Sequence, residues 1–338
     1  MKNERDNTLD LLKGFAIILV VLGHINVVTP VENFIYSFHM SLFMFISGCT
    51  FFYSYSKSTR SFSYIIKRFL SLCIPYIFWG WISYYIKHSN NFDFDSFITF
   101  PISAEHFNHL WFLPTLFLII ALTIIEDFLT KSIKNTVLRL IVKCVILLFG
   151  IFVLFVIFKF TKIKLFRQGG IYFLPFLCGY SIIRYQELGK FVLNPFFLFV
   201  CVIFYFIGLK FYSIESSSAI SLIARFLLGF LICFPFYKFA LSFNSLVMTS
   251  KNFGWGGVQM LSKNTLAIYA MHEFLRPLFN FTFNQIFYDT ILKIISALLI
   301  IFFCILIKEF LERISFIFAF VLFGKLPKKE KLYACHSN

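Results

Sequence analysis

The sequence predicts an all-α membrane protein, a polytopic helical bundle of about ten transmembrane helices. Three observations carry that expectation. Of 338 residues, 59% are hydrophobic and only 14% charged, whereas soluble domains carry about 25% charged residues. Aromatic residues reach 21%, with 52 phenylalanines, and mean hydropathy is +0.82. The apolar residues fall in long continuous runs rather than in the short alternating strands of an outer-membrane barrel. Lipid offers backbone groups no outside partner, so such runs become helices.

The runs place spans at approximately 11–28, 34–53, 69–86, 110–126, 138–158, 170–184, 192–212, 219–240, 264–281 and 290–309. The first follows Lys2, Arg5 and Lys13 like a signal peptide, but no small-residue cleavage site follows His24, so it is read as a retained helix. The sixth is short and carries Pro175 and Gly179, which marks it as tilted or broken. The longest connections are 87–109 and 242–263. Together these give one transmembrane domain, 1–324, and a basic cytoplasmic tail, 325–338. The eight cysteines are scattered singly with no CxxC pair, and no span carries an HxxxH spacing, so neither a disulfide framework nor a metal site is expected.

A net charge of +15 would suggest nucleic acid as the partner of a soluble protein; here the positive-inside rule accounts for it, and no nucleic acid is expected. With the N-terminus cytoplasmic and ten spans, 22 of the 31 Lys and Arg fall in cytoplasmic segments and 8 outside. That asymmetry predicts both termini in the cytoplasm. The segment Lys159–Arg167 runs against it.

Polar residues inside or beside the spans are the candidates for chemistry. Lys13 and His24, eleven positions apart, share one helix face and stand roughly 16 Å apart along the axis. In the predicted orientation His24, His39, His106, His109 and His272 gather on or towards the outer side, a pattern suited to proton transfer near neutral pH. His88 and His106 read as ordinary interfacial residues with polar partners. On the inner side Lys13, Lys67 and Arg68 form a candidate anion site, although lysines at helix ends also satisfy the positive-inside rule alone. Arg225, within a span, would cost about 2.5–3.5 kcal/mol facing lipid and is expected to face the interior with Glu273 as counter-ion. A structural ion pair and a substrate-binding role fit it equally. Gly254-Trp255-Gly256-Gly257 could let backbone approach a phosphate but lacks the GxxxxGK[ST] pattern.

Several of these stretches resemble the acyltransferase 3 family of membrane acyltransferases. Leu9-Asp10-Leu11-Leu12-Lys13-Gly14 through Val20-Val21-Leu22-Gly23-His24 is similar to its first-helix signature, a basic residue, ten others, then histidine. Phe38-His39-Met40-Ser41-Leu42-Phe43-Met44-Phe45-Ile46-Ser47-Gly48 resembles its second helix. Lys67-Arg68 with Pro75-Tyr76 resembles the third, His109-Leu110-Trp111-Phe112-Leu113 the fourth, and Asn264-Thr265-Leu266-Ala267-Ile268-Tyr269-Ala270-Met271-His272 the late Tyr-x-x-His segment. One departure is that the family's third helix often starts with two arginines three apart, whereas here Ser71 follows Arg68.

The resemblance implies a multi-pass protein of the bacterial cytoplasmic (inner) membrane. Its donor would be cytoplasmic acyl-CoA, usually acetyl-CoA, and its acceptor a sugar hydroxyl of an envelope glycan or glycolipid. In that reading His24 and His39 are catalytic, and Lys13 with Arg68 holds the donor's phosphates. His109, Trp111, His272, Glu273 and Arg225 bind the acceptor, and no metal takes part. The competing readings are a transporter or flippase, which predicts two related halves with interrupted helices, and a glycan polymerase, which predicts larger outer loops rich in arginine.

Overall fold

The computed structural model describes residues 7–25, 29–58, 61–103, 110–213, 219–248, 255–279 and 286–326. Among them there is no strand; fourteen α-helices and two 3₁₀ turns account for the regular structure. In chain order the helices are α1 Asn7–Gly23, α2 Thr29–Tyr55, α3 Ser61–His88, α4 Phe94–Thr99, α5 Phe112–Thr130, α6 Thr136–Thr161 and α7 Lys164–Arg184. There follow α8 Gln186–Val192, α9 Pro195–Leu209, α10 Ala219–Met248, α11 Trp255–Lys263, α12 Thr265–Phe279, α13 Ile286–Ile314 and α14 Phe316–Phe323.

Six of these, α2, α3, α5, α6, α10 and α13, carry stretches long and apolar enough to cross a membrane. The pair α8 and α9, bent by 58° where Asn194 and Pro195 interrupt the chain, makes a seventh if counted as one span. Length and composition therefore support six or seven of the ten expected spans. The other three correspond to α1 and α12, with 17 and 15 residues, and to α7, which carries Lys164, Arg167 and Arg184. The protein is a helical membrane protein.

The chain divides into two compact units, Met1–Ser56 with Ile171–Ile305, and Lys57–Gly170 with Leu306–Asn338. In the first, α1 packs against α2, α10, α11 and α12, and α10 also packs against α2 and α9. Its core runs from Leu9, Leu12 and Ala16 through Phe38, Leu42 and Phe45 to Tyr205, Leu228 and Phe234. Two crossings are close enough to demand glycine. A Cβ on Gly48 would overlap the carbonyl oxygen of Phe176, and one on Gly179 that of Phe45, so α2 and α7 touch backbone to backbone. At Gly229 of α10 a Cβ would overlap the Ser41 hydroxyl of α2. That contact sets Arg225, one turn before Gly229, beside the stretch of α2 that holds His39.

Both ends of α1 are tied to the segment that follows α10. At its start the buried Asp10 carboxylate accepts a 2.5 Å hydrogen bond from Ser262 Oγ of α11. Past its end the His24 carbonyl accepts from Arg276 Nη1 of α12 at 3.3 Å.

In the second unit α3 packs against α5 and α14, and α5 against α6. Trp79 Nε1 donates to the Leu322 carbonyl at 2.9 Å. Gly324, in the left-handed region at φ 63°, ends α14 by donating to the Phe320 carbonyl at 2.8 Å. Most of α6 is exposed apolar surface, including Val137, Ile141, Val145, Leu148, Phe149 and Phe152. Its one inward charge, Lys143, donates to Asp127 Oδ1 at 2.5 Å and stands 3.8 Å from Glu126 Oε1.

Candidate active site

Five of the nine residues singled out in the sequence meet in the first unit. α1 stops at Gly23, yet His24 stays in helical register because its backbone N–H donates to Val21 O at 3.1 Å. Its ring folds back so that Nδ1 lies 2.8 Å from the Val20 carbonyl. A carbonyl oxygen can only accept, so Nδ1 carries the proton and a neutral ring presents Nε2 as a bare lone pair.

The same arrangement recurs twice. His39 Nδ1 lies 2.8 Å from the Ile35 carbonyl, and His272 Nδ1 lies 2.9 Å from Tyr269 O and 3.1 Å from Ile268 O. All three imidazoles are thus fixed with Nε2 as the atom that takes a proton. They differ in access: His39 and His272 are buried at 1% and 2% exposure, while the His24 side chain is 24% exposed. Of the three, His24 is the one open to the surface.

The rings are in mutual contact. His24 meets His272 edge to face at 4.9 Å between centroids, and Tyr36 stands 5.9 Å from His24 and 5.0 Å from His39. Beside them, Glu273 Oε1 is 3.9 Å from His24 Nε2, too far for a direct hydrogen bond and wide enough for one intervening oxygen. Glu273 Oε2 is held at 3.2 Å by Arg276 Nε, three residues on along α12. Since Arg276 also donates to the His24 carbonyl, His24, Glu273 and Arg276 form a closed ring. Within it the carboxylate is held facing the imidazole.

Arg225 does not pair with Glu273 as the sequence suggested. Glu273 is taken by its helix neighbour Arg276, and Arg225 instead donates from Nη2 to the Tyr172 hydroxyl at 3.0 Å. Tyr36 and Tyr212 also lie within electrostatic range of Arg225, as does His39. Tyr36 in turn senses Glu32, Glu273 and Arg276. It therefore neighbours both the His24 ring system and the Arg225 group.

Lys13 is half-buried on α1 in this unit. Arg68 and Trp111 belong to the second unit. There the Arg68 guanidinium lies over the Tyr64 ring at 4.9 Å and its Nε donates to the Tyr64 hydroxyl at 2.8 Å. The Trp111 carbonyl accepts from Thr115 Oγ1 at 2.7 Å at the start of α5. His109, with His106 and Gly254, lies outside the described residues.

Sequence reasoning did not single out Tyr36, Tyr172, Tyr212 or Arg276 as site residues. Arg276 lies within the predicted span 264–281, where a Glu-x-x-Arg spacing on a helix signals an i, i+3 pair. The tyrosines carry no such signal, since among 16 tyrosines and 52 phenylalanines the three that matter look like packing.

No HxxxH spacing exists, but two helices bring His24, His272 and Glu273 together with ligand atoms up to 4.8 Å apart. Two ligands on a tetrahedral zinc stand only about 3.4 Å apart. The Arg276 guanidinium moreover already supplies a cation to Glu273. The arrangement suits proton transfer better than metal binding.

Comparison with known proteins bears on the chemistry. The curated proteins it resembles include the nodulation protein NolL of Sinorhizobium fredii, 41% identical over 91 residues, which cover 23% of this chain and 24% of that protein. Another is the nodulation protein NolL of Mesorhizobium japonicum, 30% identical over 130 residues and 34% of each chain. The matched stretch thus spans a quarter to a third of those relatives' length. No solved structure matches. Residues 6–309 match an acyltransferase domain, nearly the whole chain and every element of the site above, and the chain belongs to the acyltransferase 3 family.

Proposed function

We propose that this protein is an O-acyltransferase of the bacterial inner membrane that moves an acetyl group from cytoplasmic acetyl-CoA to a sugar hydroxyl of an envelope polysaccharide or its lipid-linked precursor. One observation carries the reading. His24 presents a bare Nε2 at a partly exposed position, faced by a carboxylate 3.9 Å away, in a chain of an acyltransferase family.

The acceptor hydroxyl sits between His24 Nε2 and Glu273 and gives its proton to Nε2. Its oxygen bonds to the thioester carbonyl carbon, and the carbon–sulfur bond breaks. The departing sulfur takes the proton back from His24, so an ester and a free thiol result and His24 returns to its starting state. Glu273 stabilises the imidazolium that exists between the two transfers, and Arg276 keeps that carboxylate in place. His272 and His39 wall the ring in, and His39 orients Tyr36. Lys13 holds the donor's phosphates from the cytoplasmic side. The N- and C-termini are cytoplasmic in this reading.

The test is glycan mass. Polysaccharide from a deletion strain loses one acetyl mass per repeat, restored by the wild-type gene and not by His24→Ala at equal membrane abundance. Restoration by His24→Ala sinks the assignment of His24. A shortened or absent polysaccharide with its acetyl groups intact points to polymerisation or export instead.

A further inference from the structure

Arg225 lies in the first unit without a carboxylate partner among the described residues. It is half-buried, with its guanidinium enclosed, seven residues into α10. Five N–H donors radiate from a guanidinium. One goes to the Tyr172 hydroxyl, and among the described residues no carboxylate stands within ion-pairing distance. The nearby acids do not reach it: Glu273 is bridged to Arg276, and Glu32 is not among the charges that act on the guanidinium. An enclosed cation without a counter-charge is destabilising, so a fold that keeps one at a site holds it ready for an anion.

The surroundings fit that use. Tyr172 comes from α7, Tyr36 from α2, and Tyr212 from the segment after α9; the first accepts from the guanidinium and the other two lie within its electrostatic range. The Gly229–Ser41 crossing one turn away fixes its position against α2. Tyr36 and His39 lie between this group and His24 in the chain of contacts. An acceptor whose hydroxyl reaches His24 would carry its neighbouring substituent towards Arg225.

We infer that Arg225 and Tyr172 form an anion-binding subsite that anchors an acidic group of the acceptor, a sugar carboxylate or a phosphate, while a neighbouring hydroxyl lies at His24. The subsite deepens the proposed function and rests on its placement of the acceptor beside His24. It makes the preferred acceptor an acidic glycan or a glycan phosphate rather than a neutral sugar.

The test titrates the full-length protein in detergent with sodium glucuronate, inorganic phosphate or glucose at constant ionic strength, reading the thermal unfolding midpoint. Glucuronate or phosphate raises the midpoint and glucose does not; which anion acts at lower concentration separates a sugar acid from a phosphate. Arg225→Gln raises the half-saturating concentration roughly tenfold or more, and Tyr172→Phe raises it less. Arg225→Lys retains part of the effect as a charge without the planar fork. Should Arg225→Gln fail to fold, Tyr172→Phe and Arg225→Lys decide. The subsite is overturned if neither anion shifts the wild-type midpoint, or if the variants respond like wild type. It is equally overturned if Arg225→Gln lowers only turnover with anion response intact, which assigns the guanidinium to the reacting carbonyl. His24→Ala leaves the titration unchanged, so acetyl transfer that survives in that variant sinks the proposed reaction alone.

Discussion

The two units treat buried charge in opposite ways. In the second, Lys143 lies against Asp127 and Glu126, and Lys308 and Lys325 both reach Glu312 at 3.0 and 2.7 Å. Each group there has its counter-charge within the same unit. In the first unit the set is left open. Three imidazoles are anchored through Nδ1 to their own helices, a carboxylate faces one of them across a gap, and Arg225 meets a tyrosine hydroxyl rather than a carboxylate. A closed set of charges stabilises a helix pair and asks nothing of a ligand. An open set costs stability until something enters, and on the proposed function that difference separates scaffold from reaction site.

Breaking the closed set should be a matter of folding. Lys143→Met strands two buried carboxylates and is expected to cost about 3 kcal/mol, read as a lower thermal midpoint and reduced membrane abundance. Transfer per folded molecule stays within about twofold; a selective loss of turnover with normal stability would erase the distinction.

Changing the open set should be a matter of rate. Glu273→Gln keeps the shape but removes the charge facing the imidazolium, and about tenfold or more is lost from kcat, with a thermal midpoint close to wild type. An unaltered kcat would place Glu273 among the scaffold residues. The smallest effect belongs to Lys325→Ala. Its side chain is 57% exposed and its partner Glu312 keeps Lys308, so the change should be about 0.5 kcal/mol or less with no effect on transfer. A larger loss would show that this pair fixes the end of the chain more firmly than an exposed contact can.

Much of this contrast could be read before any coordinates. The apolar runs identify the helices because lipid allows few alternatives, and His24 and His39 stand out because imidazoles are rare in such surroundings. His272 and Glu273 likewise emerge from an apolar stretch. Pairing was harder to read. Glu273 was assigned to Arg225 across two helices, yet a local i, i+3 partner satisfies it first, at less entropic cost. The tyrosines were hidden by the abundance of aromatic residues, since no pattern in one chain separates a hydroxyl facing a guanidinium from one that fills space. The division of the span set was also beyond hydropathy, because α1, α7 and α12 are short or carry charge and depend on neighbours rather than on lipid.

The Nδ1 anchors on the three histidines bear on bioenergetics. A ring whose Nδ1 proton is fastened to its own helix can neither flip nor hand a proton through from one nitrogen to the other. Any proton that arrives at Nε2 must leave by the same atom. Linked imidazoles could otherwise become a wire that drains the electrochemical gradient. Here each Nδ1 is tied to its own helix, so a cluster of histidines can sit in a bilayer without forming such a wire.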